Sequence, residues 1–65
     1  MKTKKKMEKL QKVRGERHFS QAKLAEMVGV DKMTIYHYEA GARRPNMDML
    51  KKLANALECT VDEII

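Results

Sequence analysis

Few residues in this 65-residue chain are equipped for covalent or metal chemistry. Cys59 is the single thiol, and His18 and His37 stand nineteen positions apart with no third ligand type at metal-binding spacing. The four donors of a closed zinc site cannot be assembled from them, so no metal and no cofactor is expected. No nucleophile–base pair and no phosphate-binding glycine loop is legible. Most of the nine Asp and Glu read as helix caps or surface charges, so an enzyme is not expected either. What the chain holds in quantity is cation: 14 Lys and Arg leave a net charge of +5. Residues 1–18 carry +6, residues 19–45 carry +1 and residues 46–65 carry −2. A basic front with an acidic back suits a domain that faces a polyanion on one side, although a solubilising lysine-rich tail has the same signature.

The elements that must position those cations have to form without staples. A domain of about 60 residues buries only about 60% of its unfolded surface, so an apolar core or self-association must supply the stability. The 43% hydrophobic content supports a core, and with 35% charged residues it argues against disorder. No apolar run approaches the ~18 residues of a membrane span. The opening MKTKKKMEK lacks the apolar stretch of a secretory signal. With a free thiol, this points to the cytoplasm.

Few β-branched residues, no period-two alternation and breakers only at Gly29 and around Gly41–Pro45 predict an all-α chain of five helices. The first spans about residues 5–17, with Leu10, Val13 and Arg14 facing inward and Gly15 inside it at a cost of roughly 1 kcal/mol. Ser20 caps the second, which buries Leu24, Ala25 and Val28, and Asp31 caps the third, which turns Ile35 and Tyr38 inward. Asn46 caps the fourth, with Met49, Leu50, Leu53, Ala54 and Leu57 as its apolar stripe. Thr60 to Glu63 spell a capping box that opens a short fifth helix ending in Ile64 and Ile65. Residues 1–6 read as a basic arm or helix start, and residues 7–65 as one domain.

The second and third helices carry the most specific pattern. Counting Gln21 as position one, apolar residues fall at positions four, eight, ten, fifteen and eighteen, a small residue (Ala25) at five and glycine (Gly29) at nine. Two helices crossing after a tight turn need a small side chain where they touch. The turn itself needs a residue that tolerates positive φ. Any helical hairpin shows apolar periodicity; it does not also demand Ala25 and Gly29.

Residues 10–65 resemble the phage-repressor and Cro type of helix-turn-helix domain, the XRE family. The resemblance runs through Arg14, Ser20-Gln21, Leu24-Ala25, Gly29-Val30, Thr34-Ile35, Glu39-x-Gly41-x-Arg43-x-Pro45, Leu53-Ala54-x-x-Leu57 and Val61-Asp62-Glu63-Ile64. It implies a compact five-helix domain whose third helix enters the DNA major groove, with double-stranded DNA as partner and no small-molecule ligand. In that docking mode the outward residues of the third helix are the base readers: Lys32, Met33, Tyr36 and His37. Lys32 can donate to guanine, and Met33 or Tyr36 can meet a thymine methyl. Gln21, Thr34, Arg43, Arg44 and Asn46 are the expected phosphate contacts, helped by free N–H groups at the second helix's start. Arg14 and Glu39 resemble the family's ion pair closing the first helix onto the third. Cys59 stands at an apolar position and is expected to act as a small buried hydrophobe.

A single recognition helix reads about four base pairs, a word recurring roughly once in 256. Such a word cannot address one site among the millions in a genome. Two copies on a two-fold axis read half-sites about 34 Å apart. The segment holding Glu58, Val61, Ile64 and Ile65 is the candidate dimer interface. The expected function is therefore a sequence-specific DNA-binding regulator, a dimeric repressor on a roughly palindromic operator. An antitoxin-like protein-interaction module is the alternative; Gln21, Lys32, His37, Arg43 and Arg44 favour nucleic acid over a basic protein partner.

Overall fold

The structure, a computed structural model, describes residues 6–65. Its elements are α1 (Glu8–Glu16), α2 (Gln21–Val28), α3 (Lys32–Ala40), α4 (Met47–Ala56) and a 3-10 turn (Val61–Glu63), and no strand occurs among the described residues. None of these helices is long and apolar enough to cross a membrane. The basic arm expected at residues 1–6 falls, save for Lys6, outside the described residues.

Each helix, and the residue that follows the 3-10 turn, sends a side chain wholly into a common core. Leu10 comes from α1, Leu24 from α2, Ile35 from α3, Leu53 and Leu57 from α4 and its end, and Ile64 from the final turn. Each such side chain is worth roughly 1.5–3 kcal/mol of transfer free energy. Ala25, Val28, Tyr38 and Ala54 complete the buried hydrophobic core, and Met49 and Leu50 pack half-buried against it.

Start signals fall where the short polar residues stand. Ser20 Oγ accepts from Lys23 N–H at 2.9 Å, Asp31 Oδ1 from Thr34 N–H at 2.9 Å, and Asn46 Oδ1 from Met49 N–H at 2.8 Å. The helix ends share one device. A residue with positive φ follows each helical run: His18 (61°), Gly29 (81°), Gly41 (79°) and Glu58 (57°). The next N–H then reaches back five residues, from Phe19 to Arg14, Val30 to Ala25, Ala42 to His37 and Cys59 to Ala54, at 2.9–3.1 Å. These are Schellman closures, and two of the four are made without glycine.

Three expectations are corrected. The first helix starts at Glu8, because Met7 N–H is drawn to the carbonyl of Glu39 at 3.2 Å and leaves helical geometry (ψ 71°). The fifth helix is a single 3-10 turn, with Ile64 N–H on the carbonyl of Val61 at 3.0 Å. That turn delivers Ile64 into the core, fully buried, so Ile64 cannot contribute to a dimer surface. Its apolar side chain is already satisfied inside one chain.

Gly15 and Gly29 make a clean contrast, since a Cβ at either would meet nothing within 4 Å. Only Gly29 has a left-handed backbone. Gly15→Ala should raise the unfolding free energy by about 0.5–1 kcal/mol, through helix propensity. Gly29→Ala should lower it by about 1–2 kcal/mol. Urea titrations followed by circular dichroism measure both, and equal signs would contradict the backbone argument.

Candidate nucleic-acid interface

α3 separates its residues cleanly. Ile35 and Tyr38 are buried, whereas Lys32, Met33 and Tyr36 are exposed and His37 is half-buried. Met33 and Tyr36, on adjacent turns of this short helix, are 52% and 48% accessible. The Tyr36 and His37 rings meet edge-to-face with centroids 5.6 Å apart, which orients both on the outer face. Met27, 43% exposed on α2, is a further open apolar side chain that the periodicity did not single out.

The helix is held by a buried carboxylate. Glu39 is 6% exposed. Its Oε2 accepts from Arg14 Nε at 2.6 Å, and its Oε1 accepts from Arg14 Nη2 at 3.2 Å and from Gln21 Nε2 at 3.0 Å. Arg14 Nη1 donates in addition to the carbonyl of Phe19 at 2.8 Å. Among the described residues no buried side-chain polar atom is left without a partner. The bidentate guanidinium geometry is the strong form of a charge-assisted pair. Gln21 thus has one amide hydrogen on Glu39 and one left to face outward at the start of α2.

Around this frame stand the other expected anchors. Arg43 and Arg44 are exposed in the loop after α3, and Asn46 is exposed with its Oδ1 committed to capping α4. Hydrogen bonds from the Thr34 hydroxyl and the Thr34 N–H hold the Asp31 carboxyl below its ordinary pKa, with smaller contributions from the charges of Arg43 and His37. The Arg43 N–H donates to the carbonyl of His37 at 3.2 Å, which ties the loop to the last turn of α3. Thr34 is engaged as well, its hydroxyl donating to Asp31 Oδ1 at 2.7 Å. Its proton reaches a phosphate only by leaving that carboxylate.

Lys6, the last residue of the expected basic arm, and Gln11, which the sequence reading did not single out, neighbour Gln21 and Tyr36. Lys6 and Gln11 line a surface depression of about 240 Å³ together with Gln21, Tyr36, Glu39 and Ala40. Gln11 lies one turn before Arg14, and that spacing is the signal that could have placed it on the same face. Glu58 and Val61 lie elsewhere, whereas Ile65 lines a second depression with Lys6, Arg43 and Arg44. Glu58 is exposed with its carbonyl accepting from Arg17 at 3.1 Å, Val61 is half-buried, and Ile65 is 54% exposed. Cys59 is half-buried against the core, and burial pushes its thiol pKa up, with Glu63 adding to the effect. Among the described residues no group of three His, Cys, Asp or Glu is placed to hold a metal.

Two helices joined by a left-handed glycine, the second presenting an apolar and basic outer face, define a helix-turn-helix unit. The chain belongs to the helix-turn-helix family (HTH_3), which matches it over residues 10–64. It is 32% identical over 59 residues to the HTH-type transcriptional regulator AnsR of Bacillus subtilis, covering 91% of this chain and 51% of that protein. It is 36% identical over 58 residues to the HTH-type transcriptional activator BcrR of Enterococcus faecalis, covering 89% and 28%. With the cryptic phage CTXphi transcriptional repressor RstR of Vibrio cholerae the identity is 38% over 45 residues, covering 69% and 40%. The chain thus spans about half or less of the length of these relatives. Among solved structures, the restriction-modification controller protein C.AhdI of Aeromonas hydrophila superposes with a TM-score of 0.84 at 29% identity, covering 89% of this chain and 84% of that one.

Removing one partner of the buried pair strands the other. Arg14→Met or Glu39→Met alone should cost about 3–5 kcal/mol. The double variant should cost well under the sum, because neither charge is then orphaned. Chemical denaturation of the three variants checks this, and strict additivity would show that the pair is not coupled.

The Asp31 cap predicts a pH dependence. Its folded pKa lies below its ordinary value, so its stabilising contribution is complete above the ordinary carboxylate range and is lost as pH falls through the folded value. Asp31→Asn keeps a capping oxygen and should flatten the acid side of the stability–pH curve.

Proposed function

We propose that this chain is a sequence-specific double-stranded DNA-binding transcriptional regulator, acting as a dimeric repressor that reads a roughly palindromic operator through the major groove. The observation that carries the reading is the outer face of α3. Two half-exposed apolar side chains, Met33 and Tyr36, stand between Lys32 and His37 on a helix whose other face is locked into the core. Apolar groups held open beside donors suit a groove edge, where thymine methyls alternate with hydrogen-bonding groups.

Lys32, Met33, Tyr36 and His37 read bases in this proposal. Gln21, Arg43, Arg44 and Asn46 set the register on phosphates, with Thr34 joining when its hydroxyl turns from Asp31. Phosphate contacts position the helix and base contacts specify the site. The relatives named as regulators and as a phage repressor support a transcriptional role. Repression follows from occupancy: a protein seated in the groove denies that stretch of duplex to others. Glu58, Val61 and the exposed Ile65 are the proposed contacts between two copies. The cytoplasm is the proposed location.

Selection from random duplex DNA tests the reading. An enriched motif of two half-sites about 34 Å apart is expected, and no enrichment at about 100 mM salt would overturn it. Against the selected duplex, Lys32→Ala and His37→Ala should each relax preference at particular positions, a loss of about 1–3 kcal/mol of discrimination. Arg43→Ala should weaken binding to all sequences alike and flatten the salt slope by about 1. Identical behaviour of the three variants would show that readers and anchors are not separate groups.

A further inference from the structure

The Asp31 carboxylate is only half engaged by the fold. Its Oδ1 accepts the Thr34 N–H at 2.9 Å and the Thr34 hydroxyl at 2.7 Å, which caps α3. Its Oδ2 accepts no hydrogen bond among the described residues. The ion pairs there are Arg14–Glu39, Arg17–Glu58 and Lys23–Glu26, and none reaches Asp31. The residue is exposed, immediately before the exposed Lys32 and Met33. Its main-chain bond from Thr34 holds the group in place even when the Thr34 hydroxyl turns away.

Such a group opposes DNA binding unless a base answers it. A carboxylate is repelled by phosphates and weakens binding to every sequence. Ser or Asn would cap α3 equally well without the charge. In the major groove the hydrogen-bond donors are the amino groups of cytosine and adenine, while guanine and thymine present acceptors. Adenine carries its N7 acceptor beside the amino group, so a single free carboxylate oxygen fits cytosine N4–H best. The first residues of a recognition helix are those that reach base edges, and Asp31 stands at that end of α3.

We propose that Asp31, besides capping α3, is a specificity-determining residue: its free Oδ2 accepts a hydrogen bond from the N4 amino group of a cytosine and rejects guanine and thymine at that position. This rests on the DNA-binding reading above and adds an acidic reader to Lys32, Met33, Tyr36 and His37.

Asp31→Asn and Asp31→Ser test it, since both keep a capping oxygen. In Asp31→Asn the amide NH2 replaces Oδ2, a donor in place of an acceptor. Selection from random duplex DNA should give the wild type a cytosine in each half-site. Asp31→Asn should exchange that base for guanine or thymine, and Asp31→Ser should leave it undetermined, with the rest of the motif unchanged. Replacing the cytosine by 2-pyrimidinone, which lacks only the amino group, should weaken wild-type binding roughly 5- to 150-fold and leave Asp31→Ser unaffected. Both variants should bind scrambled duplex at least as tightly as the wild type, whereas a cap and nothing more would, once weakened, lower binding to all sequences alike. A motif unchanged in both variants, or an altered position at which the wild type selects a base other than cytosine, would overturn the contact and leave the DNA-binding reading intact. A wild-type chain that enriches no duplex would overturn both.

Discussion

The Glu39 carboxylate is the point on which the three helices of the site depend. Its two oxygens receive three donors from two elements, Arg14 of α1 and Gln21 of α2, while its own main-chain carbonyl receives Met7 N–H. A carboxylate this buried is tolerable only when its lone pairs are filled by charge-assisted bonds. Once they are, the donors can take up few other positions without leaving an orphaned charge. The cost of misplacement thus fixes where α1 and the start of α2 sit against α3, and so the angle at which Lys32, Met33, Tyr36 and His37 are presented. Apolar contacts alone would hold the helices together but would tolerate slippage among many similar packings.

The second constraint lies in how the helices stop. Four short helices fit in sixty residues only if each ends abruptly, and four left-handed residues do this with the same reach-back bond. Gly29 and Gly41 accept that backbone freely. His18 and Glu58 hold it against a steric cost of roughly 1–2 kcal/mol each, offset by the packing of Phe19 and Cys59 against the core. At Glu58 the stop is further tied by Arg17, which donates to its carbonyl. The turn between α2 and α3 is thereby kept short, and the two helices stay in the arrangement that exposes the α3 outer face.

Charge follows the fold more than the order of residues. Among the described residues the lysines of the first quarter do not share one surface: Lys6 lies on the α3 side, and Lys9 and Lys12 line a depression with Glu16, Asp62 and Glu63. Specific recognition would then rest on a face with modest charge, where Lys32 and His37 flank apolar groups. Non-specific attraction would come from its rim. Such a division lets salt tune affinity while base contacts set selectivity.

Much was legible in the residues alone. Ser20, Asp31 and Asn46 announced three helix starts, because short polar side chains bond locally to the first turn. Ala25 and Gly29 announced the turn, and apolar spacing separated Ile35 and Tyr38 from the outward set. These are near-neighbour effects, in which sequence distance and spatial distance agree. The partition of Lys6 from Lys9 and Lys12, the convergence of Arg14 and Gln21 on Glu39, the burial of Ile64 and the engagement of Thr34 with Asp31 were of another kind. Arg14 and Glu39 lie 25 positions apart, and Gln21 and Glu39 lie 18 apart, so family resemblance could suggest the first pair but no local periodicity could. Ile64 and Ile65 are identical neighbours, yet one is buried and one is open. Residue type determined the helices, their caps and their inner faces; packing among helices decided which charges share a surface and which apolar side chains remain free, because those outcomes depend on the closing of the core and not on any local pattern.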